Sequence, residues 1–423
     1  MTYQETTEYL FNSMPSFQAV GEKGYKPGLE RIEGFCKELG DPHLSYPTIH
    51  IAGTNGKGSS SHMLASILES AGYRVGLFTS PHLRDFRERI RISGEMICED
   101  KVIEFVARHR ERMEALSLSF FEMTAAMAFN HFARRGVDVA VIETGLGGRL
   151  DATNVVHPLL AIITNIGLEH TKYLGTTLEQ IAREKCGIIK PGAPTIIGEH
   201  GRELDKIALE LGEEVIFAED HYTYINRVHT ESGQRIRVAS AERSFDVELD
   251  LAGVYQRHNL ITVTAAIDRL NAMGTFKIST EAYLDGVAHA AERTSLLGRW
   301  QMLSKNPRII GDTAHNTHGI AELCKQLSEE KFNSLYCVIG LANDKDINEI
   351  LKLFPEGTHF IFTRAAVERA YPTASLAAAA ELMQLKYECV DRVCDALDRA
   401  KELYKEGDLI FVGGSNFVIS EII

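Results

Sequence analysis

Paired cysteines are missing from this chain. Its seven cysteines, Cys36, Cys98, Cys186, Cys324, Cys337, Cys389 and Cys394, form no CxxC motif. An odd number at scattered positions suits reduced thiols and a cytoplasmic location. Positive charge is in deficit: 45 Lys and Arg stand against 58 Asp and Glu, a formal net charge of −13. That argues against a general nucleic-acid binder, since nothing offsets phosphate repulsion, but leaves room for a local basic pocket. No apolar run is long enough to span a bilayer. The first ten residues carry Glu5 and Glu8 and no apolar stretch of the signal-peptide kind, so no membrane partner is expected. Solenoid-period repeats and low-complexity tracts are also lacking. What remains is 423 residues, 44% hydrophobic and 24% charged, a soluble globular composition with room for two or three domains.

The stretch from Thr48 to Ser60 organises the rest. Thr48-Ile49-His50-Ile51-Ala52 reads as a buried strand, and Met63, Leu64, Ile67 and Leu68 as the inner face of a helix. Between them lies Gly53-Thr54-Asn55-Gly56-Lys57-Gly58-Ser59. Small residues there let backbone N–H groups approach an anion, and the helix start adds its partial positive charge. Lys57 adds a full charge and Ser59 a hydroxyl for a metal ion. The spacing departs from strict Walker A, because Gly58 separates Lys57 from Ser59 and position 51 is isoleucine. Nucleotide-phosphate binding is the expectation; the competing reading is a tight turn carrying a surface lysine.

Leu29, Ile32, Phe35 and Leu39 recur at helical spacing, and residues 1–45 read as helical and peripheral. Arg74–Thr79 reads as a strand ending at Ser80-Pro81-His82, a position near the phosphates or a plain turn. Helices are expected over Asp100–Leu116 and Phe121–Arg135. Phe120 and Phe121 suit either a planar ligand or the core. Val137–Ile142 reads as a buried strand tipped by Glu143 and followed by Gly145, Gly147 and Gly148. A carboxylate there, across from a phosphate loop, suits Mg²⁺. Leu159–Asn165 is a further strand, leading to Glu169-His170. Spacing alone does not select His170, and Lys185 could simply reach the surface. The segments 222–225, 235–238 and 245–249 alternate polar and apolar, the pattern of a half-exposed antiparallel sheet. Helices follow over Gln256–Met273 and from about Thr280 to Arg293. Beyond 294–298 the α/β rhythm restarts, with strands at Arg308–Asp312, Leu335–Gly340, His359–Thr363 and Leu409–Val412. The tips at Asp312-Thr313-Ala314-His315-Asn316 and Gly413-Gly414-Ser415 should share one sheet edge. The expected organisation is therefore α/β throughout. Residues 1–293 form a P-loop-type, mostly parallel sheet domain with an accessory antiparallel sheet. Residues 294–298 link it to a smaller Rossmann-like domain, 299–423.

The GTNGKGS loop, Thr79-Ser80-Pro81-His82, the ETGLGGRLDATN stretch at 143–154, His170 with Tyr173-Leu174-Gly175, Glu184-Lys185, and Asp312-x-Ala314-His315-Asn316 occur in this order. Together they resemble the folylpolyglutamate synthase/dihydrofolate synthase family of the Mur ligase superfamily, over nearly the whole chain. The resemblance implies an ATP-dependent amide ligase that joins L-glutamate to dihydropteroate or to the γ-carboxylate of a folate tail through an acyl phosphate. It implies two Mg²⁺ ions, with K⁺ as a further candidate. Asn55, Gly56, Lys57, Gly58, Ser59, Asn259, Arg299 and Asp312 match nucleotide contacts, so that ATP would be closed in from both domains. Ser59, Ser80, Glu143, His170 and Lys185 match the metal side, Lys185 as a carbamate. Phe120, Phe121, Glu122, Leu150, Asp151 and Ala152 match the pterin side, and His315 the incoming glutamate. Thr317 stands where the family often has proline, and Glu169 where aspartate is frequent.

Two alternatives compete. A Mur-type ligase for a cell-wall precursor would need a further N-terminal domain, for which about forty-five residues before the loop leave no room. A P-loop switch protein would have no use for the 143–154 loop. A monomer is expected.

Overall fold

The computed structural model describes residues 1–13, 27–230, 233–343 and 345–423. The chain divides into two compact units. One comprises Met1–Asp250 and Gln256–Leu296, the other Leu251–Tyr255 and Leu297–Ile423.

The strands of the larger unit's main sheet are β1 (Thr48–Ala52), β2 (Val75–Phe78), β3 (Ile90–Ile92), β4 (Glu95–Met96), β5 (Val139–Glu143), β6 (Leu160–Ile163), β7 (Thr195–Ile197) and β8 (Val215–Phe217). Their order is β4-β3-β2-β5-β1-β6-β7-β8. Strands β2, β5, β1, β6, β7 and β8 run parallel, while β3 and β4 turn back antiparallel at one edge. All residues of β1, β2, β5 and β6 are buried. Burial on both faces explains why these strands read as nearly unbroken apolar runs. In register, Ile51 of β1 lies opposite Glu143 of β5.

Phe78, Ala140 and Ile142 of this sheet join Phe105, Phe120, Phe129 and Phe132 in one core. Leu10, Ile32 and Phe35 are buried in the same core, so the N-terminal helices Tyr3–Ser13 and Glu30–Glu38 are not peripheral as expected. Their apolar stripes have that core to cover. The part of the expected helical region at 14–26 lies outside the described residues. The expected helix from Thr280 to Arg293 is two pieces, Thr280–Ala288 and Ala290–Thr294, because His289 leaves helical geometry (φ −124°, ψ 25°). The Asp250 carboxylate then accepts the N–H groups of Ala291 and Glu292 at 2.7 and 3.0 Å, a cap for the second piece.

The alternating segments form the antiparallel sheet β11-β10-β9, built from β9 (Thr223–His229), β10 (Gln234–Ala239) and β11 (Ser244–Leu249). Ile236 and Val238 point inward, Arg235 and Arg237 outward.

The smaller unit has strands β12 (Gln301–Lys305), β13 (Arg308–Gly311), β14 (Leu335–Ile339), β15 (His359–Phe362), β16 (Lys386–Cys389) and β17 (Leu409–Gly413), in the order β12-β13-β17-β14-β15-β16. Only β12 is antiparallel to its neighbour. Because β13 and β17 are parallel neighbours, the Asp312 and Gly413 tips share an edge, as expected. Among the described residues, no helix is long and apolar enough to cross a membrane.

Candidate active site

In the larger unit, β1 runs into the 53–56 turn and then into the helix Lys57–Ser70. Gly53 has φ 155°, and a Cβ on it would lie 1.8 Å from the Thr164 hydroxyl; Gly56 has φ 83°, and its Cβ would lie 2.1 Å from Asn259 Oδ1. Both positions therefore admit only glycine. The end of β6 shapes the rest of the turn. Thr54 N–H donates to the Asn165 carbonyl and Asn55 N–H to Asn165 Oδ1, both at 3.0 Å. Thr164 Oγ1 donates to the Asn55 carbonyl at 2.5 Å. Asn165 is itself held by Glu199, at 2.6 Å. The N-cap position is Gly56, which has no side chain to spend on the first N–H groups of the helix, the groups that an anion site uses.

Two lysines converge on one carbonyl. Lys57 Nζ donates to Gly53 O at 2.8 Å and to Thr54 O at 3.2 Å, and Lys185 Nζ donates to the same Gly53 O at 2.7 Å. Lys185, from the helix Leu178–Cys186, is buried and does not snorkel. Burial, then the charge of Lys57, pushes its pKa down to about 7, with Glu169 and Asp151 opposing. Ser59 is buried, and its hydroxyl accepts from Gln256 Nε2 at 3.1 Å. Asn259 Nδ2 donates in turn to Gln256 Oε1 at 2.8 Å.

One strand over, the buried Glu143 carboxylate accepts Ser80 N–H at 3.0 Å. Behind Ser80, the buried Arg89 donates from Nε to His82 Nδ1 at 2.7 Å and lies over the Phe120 ring at 5.2 Å. Burial, then the Arg89 charge, pushes His82 down to about 3, and burial lowers Arg89 to about 10. His170 stands at φ 50° with its Nε2 3.9 Å from Glu169. Among the described residues, no three His, Cys, Asp or Glu side chains gather as a preformed metal cage. The donors present are a hydroxyl and a carboxylate near adjacent strand tips. That set fits a Mg²⁺-type ion, which keeps water and substrate phosphate oxygens as most of its ligands.

Of the residues expected to serve a pterin, Phe120 is core, stacked on Phe11 with centroids 5.0 Å apart. Phe121 is half-buried over Gly145, where a Cβ would lie 2.5 Å from its ring. The Glu122 carboxylate caps its own helix at Ser119 N–H, 2.7 Å, and pairs with Arg31 at 3.1 Å. Asp151 is buried and takes four donors: Gly145 N–H and Leu146 N–H on Oδ2, and the N–H and hydroxyl of Thr153 on Oδ1, at 2.5–3.0 Å. Burial raises its pKa and these bonds oppose that. His50 Nε2 meets the same Thr153 hydroxyl at 2.8 Å. Leu150 is half-exposed and Ala152 buried.

In the smaller unit, the buried Asp312 carboxylate accepts Tyr255 O–H at 2.6 Å and the N–H groups of Trp300 and Ala314, each at 2.7 Å. Burial raises its pKa against those bonds and the Arg299 charge. Arg299 donates to the Thr313 hydroxyl and to Gly298 O. His315 Nδ1–H donates to Thr313 O at 3.0 Å. Sequence reasoning did not single out Gln256, Arg89, Asn165, Glu199 or Tyr255. Gln256, Asn165, Glu199 and Tyr255 act through partners distant in the chain, so spacing carries no signal for them, and no motif marks the Arg89–His82 pair.

Two family models match. The Mur ligase middle domain covers residues 51–267, and the Mur ligase glutamate ligase domain covers residues 298–416. The dihydrofolate synthase/folylpolyglutamate synthase of Bacillus subtilis is 33% identical over 94% of this chain and 95% of its own length. A probable bifunctional folylpolyglutamate synthase/dihydropteroate synthase of Haloferax volcanii is 32% identical; this chain, matched over 100% of its length, spans 50% of that protein. Among solved structures, Escherichia coli FolC in complex with DHPP and ADP superposes with a TM-score of 0.85 at 30% identity, over 100% of this chain and 97% of that one. The Yersinia pestis bifunctional enzyme complexed with AMPPNP and Mn ion gives 0.84 at 28% identity, over 100% and 97%.

Proposed function

This chain belongs to the folylpolyglutamate synthase/dihydrofolate synthase family of Mur ligases, ATP-dependent enzymes that join glutamate to a folate-type acid, and from that premise we propose how its own residues carry the ligation. Lys57 and the N–H groups at the helix start receive the ATP phosphates, with Asn55, Gly56, Gly58 and Ser59 completing the loop. Asn259, Arg299 and Asp312 serve the nucleotide; Asp312, already holding three donors, acts by fixing the backbone around Arg299. The pterin acceptor is served by Phe121, Leu150 and Ala152, with Phe120, Glu122 and Asp151 shaping that wall. His315 faces glutamate.

The acceptor is dihydropteroate or a folate tail. Its carboxylate takes the terminal phosphoryl group and leaves ADP. The glutamate amine then attacks the acyl phosphate, phosphate departs, and the amine proton is lost as the amide forms. A divalent cation supplies charge neutralisation where carboxylate and phosphate meet. Ser59, Ser80 and Glu143 suit one Mg²⁺. His170 and Lys185 suit a second, once Lys185 is carbamylated. With a pKa near 7, Lys185 is partly free amine at neutral pH, the form that adds CO₂. K⁺ is a further candidate ion, and the active form is a cytoplasmic monomer.

The observation that carries this reading is the convergence of Lys57 and Lys185 on Gly53 O at a helix start whose N-cap is glycine, one strand from Glu143. The test is to supply dihydropteroate and tetrahydrofolate separately, with ATP, Mg²⁺ and L-glutamate, and to identify products by mass. Phosphate should appear only when acceptor and glutamate are both present. Lys57→Ala should lower turnover by roughly a hundredfold or more, with little change in unfolding temperature. Phosphate release that ignores both substrates, or near-normal turnover of Lys57→Ala, overturns the reading.

A further inference from the structure

Gln256 opens the helix Gln256–Ala272 and has no exposed surface. Its amide spends both ends on groups that the reading above assigns to nucleotide and metal. Nε2 donates to the Ser59 hydroxyl at 3.1 Å, and Oε1 accepts from Asn259 Nδ2 at 2.8 Å. Each bond fixes a partner. A hydroxyl has one donor and two acceptor positions. With one acceptor position of Ser59 taken by Gln256, its proton stays available for a phosphate oxygen and its remaining lone pair for a cation. With Nδ2 of Asn259 taken, its Oδ1 is left facing Gly56, close enough that a Cβ there would lie 2.1 Å away.

We propose that Gln256 is a positioning residue for the nucleotide and its metal ion, setting the direction of the Ser59 hydroxyl and the Asn259 amide together. The proposal rests on the nucleotide reading of the 53–59 loop. It adds a residue 197 positions from Ser59 in the chain that acts through Ser59 and Asn259. Gln256→Met keeps the length of the side chain but removes both bonds. Gln256→Glu keeps an acceptor for Asn259 and offers Ser59 an acceptor in place of a donor, which turns the Ser59 proton inward.

The test titrates ADP into the full chain, with Mg²⁺ and with EDTA, for wild type, Gln256→Met, Ser59→Ala, the double variant and Lys57→Ala. Unfolding temperature is recorded for each. Gln256→Met should weaken Mg·ADP binding by roughly tenfold, the scale of one buried hydrogen bond. In EDTA the loss should be no more than about threefold, because the metal-linked part has gone. On the Ser59→Ala background the same change should cost no more than about threefold, since interacting groups are non-additive. A residue that merely fills space would move neither the Mg²⁺ increment nor the coupling. If Gln256→Met unfolds, Gln256→Glu carries the same test. Mg·ADP binding by the folded variant within twofold of wild type, or losses that simply add, overturn the proposal. If those results come while Lys57→Ala has lost binding, the nucleotide reading stands and only the role of Gln256 falls. If wild type itself binds no Mg·ADP, both fall.

Discussion

Lys185 shows how one side chain is held against its solution preference. Its amine is buried beside a second lysine, and its pKa falls from 10.5 to about 7. Between these values the unfolded chain binds a proton that the folded chain does not. The stability contribution of Lys185 therefore rises with pH across that window, and below about 7 both states are charged and the burial cost is constant. Lys185→Met should accordingly be more stable than wild type near pH 6.5, with the advantage shrinking steadily toward pH 9.5. Urea unfolding of both proteins across that range, without added bicarbonate, reads it directly, and a gap that widens with pH would contradict it. The turn at Gly53–Gly56 was legible in sequence because glycines at fixed spacing between an apolar strand and a helix mark it locally. The burial of Lys185 was not, since the carbonyl it meets is 132 residues away and snorkelling fitted the same pattern equally well.

At the level of elements, a capping box fixes the start of the helix Phe120–Arg135, which carries the wall proposed for the pterin acceptor. Ser119 Oγ accepts Glu122 N–H at 3.2 Å and Glu122 Oε2 accepts Ser119 N–H at 2.7 Å, a reciprocal capping box. Ser119→Ala should cost about 1 kcal/mol of stability. Because that first turn carries Phe121 over Gly145, it should also raise KM for the pterin acceptor several-fold while leaving KM for ATP unchanged. Denaturant unfolding and steady-state kinetics on both substrates check the two parts, and an equal rise in both KM values would break the link to Phe121. The box is written in the sequence as Ser119-x-x-Glu122, but an assignment of Glu122 to substrate hid it. Other elements were legible in proportion to their burial. β1, β2, β5 and β6 are buried on both faces and announce themselves as apolar runs. β12 and β16 are edge strands of their sheet, and every residue of both is at least partly exposed. No hydrophobic period marked them, and both were missed. The break at His289 was invisible for a different reason: the carboxylate that caps the helix after it, Asp250, is 41 residues from the Ala291 N–H that it accepts.

For the molecule as a whole, the chain order of the two units is less simple than one linker at 294–298. Leu251–Tyr255 belongs to the smaller unit although it is flanked on both sides by residues of the larger. A buried side chain helps to secure it there. Gln326, on the helix Thr317–Glu329, accepts Val254 N–H with Oε1 at 2.7 Å and donates from Nε2 to Ala252 O at 3.2 Å. Tyr255 adds the bond to Asp312. Nothing in the composition of Leu251-Ala252-Gly253-Val254-Tyr255 separates it from the strand before or the helix after. Alternation and helical period describe neighbours in sequence, and this allegiance is set by a residue about seventy positions on. Gln326→Ala should leave Val254 N–H and Ala252 O without their partner, at a cost of about 1–3 kcal/mol. The effect should be local before it is global. In hydrogen exchange, the Val254 amide should be protected in wild type and should exchange much faster in the variant, while amides of β1 and β5 keep their protection. Limited proteolysis should then cut within 250–256 first. Unchanged protection at Val254 would mean that the hydrophobic contacts of this segment, not Gln326, hold it in the smaller unit.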